Sequence, residues 1–235
     1  VYTDTFFGTC KSLRGNKHCQ IFATEFHFVR AHPMEFKNKA HFALDDWFHE
    51  HGVPRTIICD NAREMTHGVF RKKVNKVQSK IRPIEAYHPN SNFAEDAIRE
   101  LKRLYDRTML KTGAHPCFWD CCIEWCALIC SHVAWNMHKL NGKTPATKMT
   151  GDTPDISFLA EFGWFDFIWY FPAPKAPKKL GRYLGPSMTV GSAMCGTVIT
   201  EKATHLDRTS IMPLTREELN DPVIQAKMVE FMTEL

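Results

Sequence analysis

The sequence lacks the features that mark membrane proteins and secreted proteins. None of its apolar runs approaches the ~20 residues that a membrane-spanning helix needs. Its first five residues do not form the basic and then apolar layout of a signal peptide, and no internal repeat or low-complexity tract is evident. We therefore expect an intracellular protein with no membrane partner. Because the chain begins at Val1 without an initiator methionine, we also expect it to be a processed piece of a polyprotein.

The sequence also lacks a strong excess of charge of one sign. Its 30 Lys and Arg residues stand against 26 Asp and Glu residues, which gives a formal net charge of +4 at pH 7. This balance permits a nucleic-acid partner but does not demand one. With 235 residues, 44% of them hydrophobic, the chain is long enough for one full domain and a small second one. Its function has to be inferred from motifs.

The nine cysteines lack the pattern of a disulfide framework. Their number is odd, and five of them lie within residues 117–130. Cys122, Cys126 and Cys130 are spaced at i, i+4 and i+8 among apolar residues, which favours reduced cysteines in the core of a helix. A zinc or redox cluster is the alternative, although paired CxxC spacing is missing. The twelve histidines show no ligand spacing with cysteine either, so we do not predict structural zinc.

The first 150 residues have the pattern of an α/β domain. Residues 1–7 and 19–29 are typical of two strands of a hairpin, and residues 55–59 are typical of a buried strand that stops at Asp60. Apolar residues recur with helical spacing in 38–51, 93–110 and 115–140. We therefore predict a mixed sheet with helices on both faces.

The remaining residues predict a smaller, β-rich domain. Residues 151–163 have the composition of a linker, and short strand candidates separated by Pro and Gly fill residues 164–213. A small β-barrel is the natural interpretation. Residues 214–235 form a tail in which Thr215 and Glu218 have the spacing of a capping box, which predicts a C-terminal helix.

Three acids occupy the positions that a two-metal site requires. Asp4 lies in the first predicted strand, Asp60 ends a later strand, and Glu95 lies near the start of a helix. Two Mg²⁺ or Mn²⁺ ions about 4 Å apart can activate an attacking oxygen and stabilise a leaving one, and they need oxygen ligands from rigid elements. These acids are therefore the candidate metal ligands and catalytic residues.

The motifs around these acids resemble a known family. They read YTD at residues 2–4, CDNARE at 59–64, HPNSNFAE at 88–95 and RELK at 99–102, with FW at 118–119 and NGKTP at 141–145. This combination is similar to the integrases of copia-like retrotransposons and retroviruses, in the ribonuclease H-like superfamily, and it spans nearly the whole chain. The resemblance implies an integrase catalytic core in residues 1–150 and, in residues 164–213, the small barrel that follows it.

The resemblance also implies an activity and its residues. The protein would process DNA 3′ ends and transfer them to target DNA, as a homo-oligomer in the nucleus or a virus-like particle. Two Mg²⁺ or Mn²⁺ ions would be held by Asp4, Asp60 and Glu95, with Asn61 and Glu64 supporting the turn after Asp60. The implied DNA contacts are Tyr87, Asn90, Arg99, Lys102, Arg103, Lys178, Lys179 and Arg182.

Two departures from the family pattern keep other interpretations open. Residues 61–94 separate Asp60 from Glu95, one residue fewer than is usual in the family, and Asp96 would restore the count. We choose Glu95 because helical periodicity places it on one strip with Arg99 and Lys102, about 100° away from Asp96. Ala62 replaces the usual glycine. The alternatives are a catalytically inactive, domesticated DNA-binding protein, an ordinary charged face on the helix, and a cysteine-rich metal-binding module.

Overall fold

The protein is represented by a computed structural model that describes residues 1–84, 93–173, 175–187, 190 and 195–235. Within these ranges it does not describe the side chains at positions 64, 93–95 and 158. The chain divides into two compact units, Val1–Pro154 and Asp155–Leu235. No helix within the described residues is long and apolar enough to span a membrane.

A mixed five-stranded sheet forms the centre of the first unit. Its strands are ordered β3-β2-β1-β4-β5, with β1, β2 and β3 antiparallel to one another and β4 and β5 parallel to β1. This arrangement confirms the predicted mixed sheet. The strands are β1 (Tyr2–Phe7), β2 (His18–Ala23), β3 (Val29–Met34), β4 (Thr56–Cys59) and β5 (Lys80–Pro83).

Helices cover both faces of this sheet. On one face α1 and α3 pack over a core that includes Phe22, Trp47 and Ile57. On the opposite face Phe6 of β1 contacts the rings of Tyr105 in α4 and Trp119 in α5. The helices are α1 (Ala40–His51), α2 (Arg63–Thr66), α3 (Gly68–Lys76), α4 (Phe93–Thr112), α5 (Trp119–His132) and α6 (Pro145–Thr150).

Two predicted elements have different bounds in the structure. Residues 19–29 do not form one strand, because a turn at residues 24–27 separates β2 from β3; His27 has a positive φ of 65° there, and Thr24 donates to the Phe28 carbonyl. The predicted helix 115–140 is also too long. It ends at His132, where Val133 adopts an extended conformation and the Trp135 indole donates to the Cys130 carbonyl at 2.7 Å.

The second unit contains a five-stranded antiparallel sheet in the order β10-β6-β7-β8-β9. Its strands are β6 (Phe167–Tyr170), β7 (Lys179–Pro186), β8 (Gly196–Ile199), β9 (His205–Arg208) and β10 (Ile211–Pro213). A short helix, α7 (Ser157–Glu161), lies inside the predicted linker. The predicted capping box is confirmed: Thr215 and Glu218 exchange side chain-to-backbone hydrogen bonds at the start of α8 (Arg216–Asn220). The C-terminal helix is α9 (Pro222–Glu234).

A buried carboxylate joins the loop after β1 to the start of α5. Asp120 accepts hydrogen bonds from the side chains of Ser12 at 2.7 Å, Arg14 at 2.9 Å and Asn16 at 2.8 Å. Its side chain is only 1% exposed, so these bonds replace the water that a charged group would otherwise need. The loop between β1 and β2 is therefore fixed to α5.

Replacing Asp120 should destabilise the first unit. We expect Asp120→Asn to lower the free energy of unfolding by about 2–4 kcal/mol, because the buried donors of the loop lose a charged acceptor. Glu124→Gln is the matched control, since the Glu124 carboxylate also binds Arg14 but is 30% exposed. Its cost should stay below about 1 kcal/mol. Urea denaturation followed by circular dichroism measures both, and equal effects would contradict the role given to Asp120.

Candidate active site

Asp4 and Asp60 are neighbours on adjacent parallel strands. In the β1–β4 ladder Tyr2 is opposite Ile58 and Thr3 is opposite Cys59, so the next step of the register brings Asp4 beside Asp60. Adjacent strands lie about 4.8 Å apart, and successive side chains alternate between the two faces. Because Thr3 and Cys59 are buried toward α1 and α3, the two acids belong to the face that α4 covers.

A buried polar network behind Asp4 fixes the backbone of β1. Gln20 of β2 is fully buried; its amide nitrogen donates to the Thr3 hydroxyl at 2.6 Å, and its amide oxygen accepts from the Thr5 hydroxyl at 3.1 Å. The Thr3 hydroxyl donates in turn to the Ile21 carbonyl at 2.8 Å. A fully satisfied network of this kind rigidifies the strand. Asp4 therefore projects from a fixed backbone, and its Oδ1 accepts from the Thr5 N–H at 2.8 Å.

The chain turns sharply after Asp60. The Asp60 Oδ1 accepts from the Ala62 N–H at 3.3 Å, and α2 begins at the next residue. Ala62 has φ −62° and ψ 135°, a conformation that any residue adopts, so glycine is not required at this position. The alanine that departs from the family pattern therefore imposes no backbone strain. On the other side of Asp60, burial and then the neighbouring charge of Asp60 raise the pKa of the Cys59 thiol to about 11.

Helix α4 brings a lysine to the first acid. Lys102 Nζ lies 3.9 Å from Asp4 Oδ2, and each side chain is a little over 40% exposed. One turn further along α4, the Tyr105 ring packs edge-on against Phe6 at 5.5 Å between centroids. This contact holds α4 over β1. Among the predicted DNA-contacting residues that the structure describes, Lys102 is the one in contact with Asp4.

The third predicted acid is only partly described. Glu95 belongs to α4, but its side chain lies outside the described residues. Position 95 precedes Lys102 by seven residues, two helical turns or about 10 Å, so both positions share one face of the helix. Asp96, the alternative, forms an ion pair with Arg99, and both side chains are about 60% exposed. Within the described side chains no group of three metal-binding residues comes together.

The other predicted site residues of the first unit contact a neighbouring side chain, lie exposed, or fall outside what the structure describes. Arg103 pairs with Glu100 at 2.7 Å on α4. Asn61 is exposed in the turn after Asp60, and the side chain of Glu64 in α2 is not described. Tyr87 and Asn90 lie outside the described residues. The roles of these residues stay predictions.

In the second unit, the residues predicted to contact phosphates differ in their exposure and in their partners. Lys179 is exposed at the start of β7. Lys178 Nζ lies 2.7 Å from Glu218 and 4.4 Å from the centre of the Trp169 ring. The hydrogen bond from Lys178, followed by that from the Thr215 backbone, lowers the pKa of Glu218 to about 2. Lys178 therefore helps to attach α8 to the sheet.

Arg182 is partly withdrawn from solvent. Its guanidinium lies 3.4 Å from the centre of the Phe167 ring and donates to the Phe165 carbonyl and, at 3.2 Å, to the Met232 sulfur. Burial lowers its pKa to about 10. A phosphate contact by Arg182 stays a prediction, and the structure assigns it in addition a packing role beside α9.

Gln20, which positions the site, is not among the residues predicted from the sequence. A signal was present, because Gln20 is a polar residue at an inward position of an otherwise apolar strand. Its partners Thr3 and Thr5 alternate with Asp4 on the neighbouring strand. Recognising it required the β1–β2 register, which the sequence does not specify.

The cysteines of α5 belong to the hydrophobic core, as predicted. Cys121, Cys122, Cys126 and Cys130 are buried, and none of the nine cysteines is in a disulfide. Burial raises the pKa of the Cys130 thiol to about 12 and that of Cys122 further. Burial therefore keeps these thiols protonated and unreactive at neutral pH.

No known protein-family profile matches the sequence, and no curated protein matches it. Solved structures do resemble it. A chain of the simian T-cell lymphotropic virus intasome in complex with PP2A regulatory subunit B56 gamma is 13% identical over 91% of this chain and 77% of its own, with a TM-score of 0.53. The catalytic core domain of BIV integrase is 13% identical over 64% and 92%, with a TM-score of 0.49.

The HTLV-2 integrase catalytic core domain in complex with magnesium, in a trimeric form, is 16% identical over 63% of this chain and 93% of its own, with a TM-score of 0.49. The similarity to the intasome chain establishes the fold, a ribonuclease H-like mixed sheet flanked by helices. At such low identity it establishes the fold alone.

The burial of the α5 cysteines predicts their reactivity. In the folded protein, iodoacetamide should modify the partly exposed Cys10 and Cys117 first and leave Cys121, Cys122, Cys126 and Cys130 unmodified, because burial restricts access and keeps the thiols protonated. All should react after unfolding in urea. Peptide mass spectrometry measures the pattern. Protection that disappears on adding a zinc chelator, without unfolding, would instead support the metal-binding alternative.

Proposed function

We propose that this chain is the catalytic part of a DNA integrase that acts by metal-dependent phosphoryl transfer. The observation that carries the proposal is the β1–β4 register, which brings Asp4 beside Asp60 on the face covered by α4. The similarity of the fold to a chain from an intasome supports it. Assignment to the copia-like elements rests on the sequence motifs, and so do homo-oligomeric assembly and a location in the nucleus or a virus-like particle.

The donors available at this site fit hard divalent cations. Asp4 and Asp60 offer carboxylate oxygens from a rigid sheet, and both side chains are open to solvent. Glu95, at the start of α4, would supply the third carboxylate. Two Mg²⁺ or Mn²⁺ ions held there would activate the attacking oxygen and neutralise charge that develops on the leaving oxygen.

The residues of the chain would position DNA for two successive displacements. In the first, water attacks a phosphodiester near a DNA 3′ end and releases the terminal nucleotides. In the second, the new 3′ hydroxyl attacks a phosphodiester of target DNA, and the 3′ oxygen of the cut strand leaves. Neither step needs a nucleophile from the protein, so positioning and charge stabilisation supply the catalysis.

Lys102 links the acids to the proposed DNA surface. An ammonium 3.9 Å from Asp4 lies close enough to contact a phosphate held at the two acids. Arg99 and Arg103, exposed on the same helix, would contact neighbouring phosphates. The sequence motifs add Tyr87 and Asn90, which precede α4 in the chain and lie outside the described residues, to the proposed DNA contacts.

A second candidate is an inactive, domesticated integrase that binds DNA without joining it. The short spacing between Asp60 and Glu95 favours this candidate, whereas Ala62 does not, because its backbone needs no glycine. DNA binding that weakens with salt, together with an absence of metal-dependent strand transfer, would support it.

Asp60→Asn tests the proposed chemistry. The substitution removes one carboxylate charge with little change in shape, and we expect at least a ~100-fold loss of Mg²⁺-dependent strand transfer. Asp152→Asn, at an exposed position of the same unit, is the matched control and should retain activity. Oligonucleotide strand-transfer assays measure both, with circular dichroism to confirm folding. Full activity of Asp60→Asn would refute the proposal.

A second pair of substitutions separates the two candidates for the third acid. Glu95→Gln should abolish strand transfer to the same degree as Asp60→Asn. Asp96→Asn should reduce it less than about threefold, because Asp96 forms only an exposed ion pair with Arg99. The reverse order of effects would assign the third position to Asp96.

A further inference from the structure

Exposed phenylalanines and lysines lie together at one end of the first sheet. Phe7 is 54% exposed and Phe36 is 49% exposed, although large aromatic side chains are usually buried. Lys37 Nζ lies 4.3 Å from the centre of the Phe7 ring, and Lys39 Nζ lies 5.7 Å from that of Phe36. Two aromatic rings are therefore each accompanied by a cation at the surface.

These residues form one continuous surface. Phe7 ends β1, opposite His18 of β2, and His18 in turn is opposite Met34, which ends β3. Phe36 and Lys37 follow Met34 directly, and Lys37 spans back to Phe7. Lys17 is exposed beside them, and its backbone N–H donates to the Met34 carbonyl at 3.1 Å. We call this surface the end platform; its members are Phe7, Lys17, Phe36, Lys37 and Lys39.

We propose that the end platform binds unpaired nucleotides of a DNA strand, with bases stacking on Phe7 and Phe36 and phosphates contacting the lysines. Flat rings interleaved with cations are the combination that recognises single strands. In a duplex each base face is covered by the neighbouring bases, so duplex DNA has no free base to stack on an exposed ring. Lys17, Lys37 and Lys39 bring three cations to this surface, and Lys39 also lies 3.7 Å from Glu35.

The lysines over the rings do not block this binding. An exposed contact between an ammonium and an aromatic ring is weaker than the stacking of a base on that ring. An arriving base can therefore displace the ammonium, which remains close enough to contact the phosphate of the same nucleotide. The cation and the ring then act on different parts of the ligand.

Phe7 of the end platform lies on the same strand as Asp4, which suggests a role for single-strand binding in the proposed reaction. Phe7 follows Asp4 by three residues on β1, about 10 Å along the strand, and this odd spacing turns its side chain to the opposite face of the sheet. A DNA strand separated from its complement beside the acids would therefore have to pass around the end of β1 to be held at Phe7 and Phe36. This role rests on the proposed function, whereas the affinity for a single strand does not.

The chain offers a matched control for the platform. Phe42 is 55% exposed and lies 5.4 Å from Lys73 Nζ, so it has the same exposure and the same kind of cation. Lys73 forms an ion pair with Asp45, as Lys39 does with Glu35. Phe42 is not a member of the end platform, so its substitution should matter little for binding a nucleic acid there.

Fluorescence anisotropy with a labelled oligothymidylate tests the proposal in the full chain. The double variant Phe7→Leu/Phe36→Leu keeps apolar bulk but removes both rings, and it should weaken single-strand binding at least about tenfold. Its affinity for a blunt duplex should change less than about twofold. Phe42→Leu should leave both affinities unchanged, and Phe36→Trp should retain single-strand binding.

The outcomes separate this proposal from the proposed function. No measurable binding of the oligothymidylate by the unsubstituted protein would overturn it, and so would equal affinity of the double variant. Equal losses for single strand and duplex would also overturn it, because they would indicate a role of the rings in folding or in general charge attraction. If Asp60→Asn and the unsubstituted protein both lack strand transfer but bind the single strand, the proposed function fails and the end platform stands.

Discussion

The parallel ladder between β1 and β4 determines which side chains meet at the edge of the first sheet. Only two residue pairs, Tyr2–Ile58 and Thr3–Cys59, define this ladder, yet a shift of one residue would turn Asp4 or Asp60 into the core. Burial of Thr3 and Cys59 opposes such a shift from one face. The placement of the acids is thus a consequence of hydrophobic and hydrogen-bonded packing on the side of the sheet that carries no chemistry.

Two buried polar residues fix strand β1 and the loop that follows it. Gln20 connects β2 to both threonines that flank Asp4, and Asp120 fixes the loop that follows β1 to the start of α5. Between them, Gly8 permits the close approach of Trp119: a Cβ there would lie 2.4 Å from the indole ring. The strand that carries Asp4 is therefore held by its neighbour, by its own end and by a helix.

Local periodicity in the sequence predicted the mixed sheet and helices α1 and α4. The motifs singled out the candidate acids, whose shared role stays a prediction. The sequence did not predict the turn at His27, which has a positive φ that is uncommon for a residue other than glycine. The end of α5 was also missed, since the residues after His132 keep an apolar, helix-like composition. Gln20 and Asp120 act through partners 15 to 108 residues away, and no local pattern encodes such contacts.

The cationic side chains differ in how easily they could exchange their present partners for a phosphate. Along α4, Arg99, Lys102 and Arg103 are each 43% to 63% exposed and pair with acids in exposed or half-exposed ion pairs, which contribute little and are readily exchanged. Arg182 is different, because its contacts with aromatic rings would have to be given up. If DNA binds this protein, the exchange of ion pairs on α4 costs least. The same exchange would free Asp4 from Lys102 for the metal ions that the proposed function requires, and would in that way couple occupation of the site to binding of DNA.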